Sequence, residues 1–366
     1  MNKLTQINVV VLGRGLVGSA WLNGFAEQKA KLQNIADVKL VAVANSTKFL
    51  LDANGCDFEH VQNFNDFASG GDLSSLLAQL DGLNLTNVVV LDLTASTKVA
   101  DAYLEFAERG WNVISANKIP LTKSTERHRL LVNCFKQNDC YWGINATVGA
   151  ALPIQASLSE LLQAGDKLHS ISGVFSGSLS YLLTQYDGEQ SFTDFVQQAQ
   201  QAGVTEPDPR DDLSGTDVQR KLLILARVAG FSINLDDIEV EPLLPSDLLQ
   251  GSINDFWSRK PQIDAYMAAR FAEAKANGHK LAYQAKATVV NNIISGQVGL
   301  ASLPTSNALT QLTPSDNVFT LTTEFYERNP LIIRGPGAGA IVTATAVNID
   351  LNKFILQLAV AADVPA

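Results

Sequence analysis

The chain opens on a short apolar, β-branched run, "INVVVLG", and passes at once into "GSAWLNGFAEQKAKL", whose apolar positions recur at helical spacing. "VKLVAVAN" reads as the next strand, and "NVVVLDLTA" and "WNVISANK" as two more, each ending in small or polar residues. Between those two, "TKVADAYLEFAERG" predicts one helix closed by Gly110 at its C-cap. Alternation of this kind builds a parallel sheet with helices on both faces. Ligands of such sheets sit beyond the carboxyl ends of the strands, which is where Gly13, Asn45, Thr94 and Lys118 fall.

Beyond about residue 150 the pattern changes. Helical stretches such as "LPIQASLSELLQAG" and "FTDFVQQAQQAG" mix with strand-like "LHSISGVFSG", "KLAYQAKATVV" and "VFTLTTEFYERNPLIIRG". The expected fold class is α/β: a Rossmann-type parallel-sheet domain over 1–150, rejoined by 335–366, and a second, α+β domain over 151–334 with a mainly antiparallel or mixed sheet. Near the end, "RGPGAGAIVTATAVNIDL" predicts a glycine-rich turn entering a helix that packs back on the first domain.

Length and composition fit this division. With 366 residues the chain exceeds one ordinary core, and 46% hydrophobic against 17% charged residues describes a folded globular protein. A net charge of -10 with no basic cluster argues against a nucleic-acid partner. No apolar run reaches the roughly 18 residues of a membrane span, and "MNKLTQINVVVLGRG" lacks the features of a secretion signal. Cys56, Cys134 and Cys140 imply no disulfide framework, so a reduced, cytoplasmic protein is expected.

Gly13-Arg14-Gly15-Leu16-Val17-Gly18 fits G-x-G-x-x-G between a strand and a helix. The first glycine permits the turn, the second lets the backbone approach a pyrophosphate, and the third allows close packing. The helix N-terminus then offers free N–H groups to phosphates. An acid at the end of the second strand would hold a ribose 2′-hydroxyl, but Ala44, Asn45, Ser46, Thr47 and Lys48 stand there with Arg14 nearby. These donors suit a 2′-phosphate and favour NADP, with NAD possible; alternatively Asn45 and Ser46 cap a following helix.

"TEPDPRDDLSGTDVQRKLLILA" gathers Glu206, Asp208, Asp211, Asp212 and Asp217 before an apolar helix. The spacing is not that of a calcium loop. Ser214 and Asp217 suggest a capping box, and Asp217 and Lys221 fall at i and i+4 on one helical face. A lysine on a buried helix beside carboxylates has the balance of influences that proton transfer needs; a solvated ion pair at a helix start is the alternative.

Taken in order, "GRGLVG", "SANK", "NATVGAALPI", "GVFSGSLSYLL", "GVTEPDPRDDLSGTDVQRKLLILAR" and "RGPGAGAIVTATAV" resemble the homoserine dehydrogenase family over essentially the whole chain, most closely the dehydrogenase half of bifunctional aspartokinase–homoserine dehydrogenases. The resemblance implies interconversion of L-homoserine and L-aspartate 4-semialdehyde with a nicotinamide cofactor, in threonine and methionine biosynthesis. Neither the kinase region nor the C-terminal ACT domain of other members is expected here. By the same resemblance Lys221 exchanges the substrate proton, with Lys118 as a second catalytic candidate between cofactor and substrate. Glu206, Asp212, Asp217 and Ser178 line the substrate site, and Arg14, Leu16, Val17, Thr94 and Gly339 touch the cofactor.

The family's sodium or potassium site maps onto Asn145, Val148, Ala150 and Leu152, with Asn145 where an acid is usual, and Ala151 replaces a glycine. A homodimer or dimer of dimers is implied. Two rival readings stay open: an inactive NADP-binding regulatory protein, and a dehydrogenase for another small hydroxy compound on the same scaffold.

Overall fold

The computed structural model describes residues 4–363. The chain forms two compact units, one running to Ala151 and resuming at Gly339, the other spanning Leu152–Ala338.

The first unit is built on a seven-stranded sheet of order β4-β3-β2-β1-β5-β6-β7. Its strands are β1 (Thr5–Leu12), β2 (Ala36–Ala44), β3 (Lys48–Leu51), β4 (Ser69–Gly70), β5 (Val88–Asp92), β6 (Asn112–Ser115) and β7 (Trp142–Gly143). From β2 to β7 every pairing is parallel, whereas β3 and β4 add an antiparallel edge. Val9, Val11, Val89 and Leu91 face one core with Trp21 and Leu351; Val10, Val88, Val90 and Val113 face the other with Tyr103 and Phe106. Burial on both faces explains why these strands read as continuous apolar runs.

The Leu16–Leu32 helix and the C-terminal Ala340–Asp363 helix pack on the first of those faces. Trp21 Nε1 donates to Asn348 Oδ1 at 2.8 Å, and Gln28 Nε2 to Asn352 Oδ1 at 2.6 Å. These bonds tie the C-terminal helix to the Leu16–Leu32 helix.

Two local expectations are corrected. The stretch "TKVADAYLEFAERG" forms two short helices, Thr97–Asp101 and Tyr103–Glu108, because the turn tightens at Ala102, whose N–H bonds to Val99 O rather than four residues back. Gly110 does close it, at φ +71°. No helix follows β2: Asn45 Oδ1 accepts from the N–H groups of Thr47 and Lys48 at 2.9 and 2.8 Å, turning the chain back into β3.

The second unit carries a six-stranded sheet of order β13-β12-β8-β10-β11-β9. Here β8 is Leu168–Val174, β9 Ile238–Val240, β10 His279–Val290, β11 Ile293–Pro304, β12 Asp316–Thr323 and β13 Leu331–Pro336. Only β9 pairs in parallel, so the sheet is the mainly antiparallel one expected. The Gly177–Gln185 and Thr216–Val228 helices lie against it. No helix among the described residues is long and apolar enough to cross a membrane, and the three cysteines are unpaired.

Candidate active site

In the first unit the strand order reverses at β1, between β2 and β5, the switch point where doubly wound folds leave a crevice. The glycine loop leaves β1 there. A Cβ on Gly13 (φ +105°) would meet Leu93 O at 2.6 Å, and one on Gly18 would meet Gly13 O at 2.0 Å, so both are fixed by close packing. A Cβ on Gly15 would meet nothing within 4 Å. Gly15 therefore fronts open space at the start of the 17-residue Leu16–Leu32 helix, which has no side-chain cap and no acid in its first turn. Leu16 beside it is 85% exposed. Arg14 is held by Val61 O (2.9 Å) and lies over the Phe64 ring at 4.6 Å, with burial lowering its basicity.

The ends of β5 and β6 are locked to each other by a buried network that the sequence patterns did not reveal. Asp92 Oδ1 accepts from the Thr94 N–H and hydroxyl at 3.0 and 2.7 Å, and Oδ2 accepts from Asn117 Nδ2 and Tyr103 Oη, each at 3.0 Å. Asn117 also donates to Ser96 O and accepts from Ile119 N–H. Burial pushes the Asp92 carboxyl above its ordinary value, against the pull of these donors. The network fixes the Thr94 turn and the half-buried Lys118 on the ligand side of the sheet. The signal was present only as two polar residues closing apolar strands.

Gly339 (φ +116°) opens the C-terminal helix in this unit. Asn145 donates its backbone N–H (2.9 Å) and its side-chain amide to the buried Asp350, a partner contributed by the C-terminal helix. The left-handed turn falls on Gly149 (φ +76°) and Ala150 (φ +51°) and not on Ala151, so the alanine at 151 meets no backbone constraint of that kind. Val148 is buried, and Leu152 belongs to the second unit. No cluster of three His, Cys, Asp or Glu with metal-binding geometry occurs among the described residues.

In the second unit the acidic stretch is distributed rather than crowded. Asp208 caps the Pro209–Leu213 helix and chelates Arg210, which holds its carboxyl below the usual range. Asp211 points to solvent. Asp212 turns inward, and its Oδ2 takes the N–H of Glu206 at 2.8 Å, so the chain folds back on itself. Ser178, on the Gly177–Gln185 helix, bonds Val204 O at 2.8 Å and lies beside Asp212. Burial raises the Asp212 pKa, and the nearby Glu206 and Asp217 charges add to that.

The Thr216–Val228 helix follows, but without the predicted capping box. Its N-cap is Gly215 at φ +73°, and a Cβ there would stand 1.9 Å from Tyr283 Oη. Ser214 instead accepts the Thr216 N–H at 3.2 Å. One turn on, Lys221 is 7% exposed, with Leu222, Leu223, Ile224 and Leu225 buried behind it. Its Nζ bonds Asp217 Oδ2 and Phe175 O, each at 2.8 Å. Asp217 remains half exposed. Ser178, Glu206, Asp212, Asp217 and Lys221 thus fall in one unit, and the glycine loop, Asn45, Ser46, Thr94, Lys118 and Gly339 in the other.

Two family models match the chain: homoserine dehydrogenase over residues 153–351, and the NAD-binding domain of homoserine dehydrogenase over residues 13–145. The Schizosaccharomyces pombe homoserine dehydrogenase is 32% identical over 375 residues, covering 99% of this chain and 98% of that protein. The chain belongs to the homoserine dehydrogenase family. A similar relative is the bifunctional aspartokinase/homoserine dehydrogenase 2 of Escherichia coli K12, 41% identical across 95% of this chain. The chain spans 43% of that relative's length. Among solved structures, a Candida auris protein of unknown function superimposes with TM-score 0.85 at 32% identity, over 96% of this chain and 98% of that one. A hyperthermophilic archaeal homoserine dehydrogenase mutant in complex with NADPH shares the fold, with TM-score 0.71 at 21% identity over 96% and 98% of the chains.

Residues 13–145 match the NAD-binding domain of that family. The open space before Gly15 and the uncapped helix N-terminus fit a dinucleotide pyrophosphate.

Proposed function

We propose that this chain interconverts L-homoserine and L-aspartate 4-semialdehyde with NADP as the preferred nicotinamide cofactor. The carrying observation is the buried Lys221, whose ammonium is fixed by Asp217 and the Phe175 carbonyl just ahead of the buried apolar residues 222–226. The bound dinucleotide supplies or accepts the hydride at the carbon that bears the substrate oxygen. Lys221 Nζ gives a proton to that oxygen during reduction and takes it back during oxidation. Asp217 and Phe175 O each occupy one Nζ donor position, which leaves one direction for the substrate oxygen.

Asp212 and Glu206 provide carboxylates for the substrate's α-ammonium, with Ser178 beside them. Lys118, fixed through Asn117 and Asp92, is the second catalytic candidate. Gly13, Arg14, Gly15, Leu16, Val17, Gly18, Thr94 and Gly339 form the cofactor contacts, with Asn45, Ser46 and Arg14 as the 2′-phosphate side in the absence of an acid ending β2. Asn145, Val148, Ala150 and Leu152 would hold sodium or potassium. For Asn145 the donors face Asp350, which directs its amide oxygen elsewhere. A cytoplasmic homodimer or dimer of dimers completes the reading, with domains 1–150 plus 335–366 and 151–334.

Acid pH tests the ammonium site. Asp212 binds an ammonium only when ionised, and its raised pKa means that the charge is lost as pH falls through a value above the ordinary ~3.9 of aspartate. The homoserine KM is expected to climb on the acid side before an ordinary aspartate would titrate, and Asp212→Asn to show a high KM that no longer depends on pH there. A wild-type KM flat through this range, or an Asp212→Asn KM equal to wild type, removes Asp212 from the site.

A further inference from the structure

The Phe175 carbonyl that holds Lys221 has a second donor. Asn317, at the start of β12, is fully buried, and its Nδ2 bonds Phe175 O at 3.1 Å. A carbonyl has two lone pairs, and here one takes the ammonium and the other the amide. The orientation of the amide follows from this, since its oxygen turned toward Phe175 O would set two acceptors against each other. The side chain is pinned further by the β13 turn. A Cβ on Gly337 would stand 2.1 Å from Asn317 Nδ2 and 2.3 Å from its Cγ, so the glycine exists to let the backbone pass over the amide. The Phe175 ring is stacked on Phe319, which lies two residues beyond Asn317 on β12, with ring centroids 4.5 Å apart.

Stability does not account for an asparagine at this place. Its Oδ1 is buried with no hydrogen-bond partner among the described residues. A buried acceptor left unpaired is a cost that an apolar side chain of the same shape would avoid. What the amide supplies, and leucine would not, is the second hydrogen bond to the carbonyl.

We infer that Asn317 is a positioning residue, which fixes the Phe175 carbonyl and through it aims the Lys221 ammonium at the substrate oxygen. This rests on the proposed proton-transfer role of Lys221. The test compares Asn317→Leu, Asn317→Ala and Lys221→Ala in the full chain, by steady-state kinetics with homoserine and NADP and by thermal unfolding. Asn317→Leu is expected to keep or raise Tm, to leave the homoserine KM within about twofold, and to lower kcat by about tenfold or more, the scale of a misaligned reacting group. If the leucine variant fails to fold, the alanine variant is read by the same split of kcat from KM. An inactive Lys221→Ala beside an Asn317 variant with kcat within about twofold of wild type overturns the positioning role alone. So does a folded variant whose loss of kcat is matched by a comparable rise in the homoserine KM. An active Lys221→Ala overturns instead the reading on which it rests.

Discussion

Lys221→Ala is expected to lower kcat by at least about 10²–10⁴-fold, the usual contribution of a positioned acid–base group. The substitution also removes the cation that Asp217 and the Phe175 carbonyl share. NADPH binding is expected to survive, because every glycine-loop residue belongs to the other compact unit. Fluorescence titration with NADPH and steady-state turnover of homoserine separate the two effects. Near-normal turnover removes Lys221 from the chemistry. A parallel loss of NADPH binding would mean that the substitution damages more than proton transfer.

Gly15→Val is expected to fold as wild type yet bind NADPH at least about 10²-fold more weakly, as a side chain placed where the pyrophosphate must approach. Its φ of -71° suits any residue, and nothing lies within 4 Å of the position a Cβ would take. Gly18→Ala is the contrast: its Cβ would stand 2.0 Å from Gly13 O, so the loop itself must shift. The pair therefore distinguishes space kept for a ligand from space closed by packing. Unchanged Tm with unchanged NADPH affinity in Gly15→Val would show that the open space is not the phosphate site.

Much of this was legible in the sequence because the relevant physics is local. The runs in β1, β2 and β5 are apolar since both faces of the sheet are covered, and the i, i+4 spacing of Asp217 and Lys221 alone sets them on one helical face. Other features depend on residues distant in the chain. Gly215, not Ser214, begins the Thr216–Val228 helix because Tyr283 fills the space a side chain would need. Asp208 is taken up by Arg210, while Asp212 turns inward to the Glu206 N–H, a division that a row of acids does not announce. Nor does any pattern mark a backbone carbonyl, so the role of Phe175 O in holding Lys221 appears only once β8, β12 and the Thr216–Val228 helix are assembled.

Hydride exchange between aspartate 4-semialdehyde and a nicotinamide cofactor is the activity proposed for this chain. The most direct measurement follows the loss of reduced-nicotinamide absorbance after aspartate 4-semialdehyde is added to the purified protein, with NADPH and with NADH in parallel. The predicted result is rapid, substrate-dependent oxidation with NADPH giving the higher kcat/KM, and L-homoserine as the product. No oxidation with either cofactor, under conditions in which the protein is folded and binds NADPH, would rule out that activity.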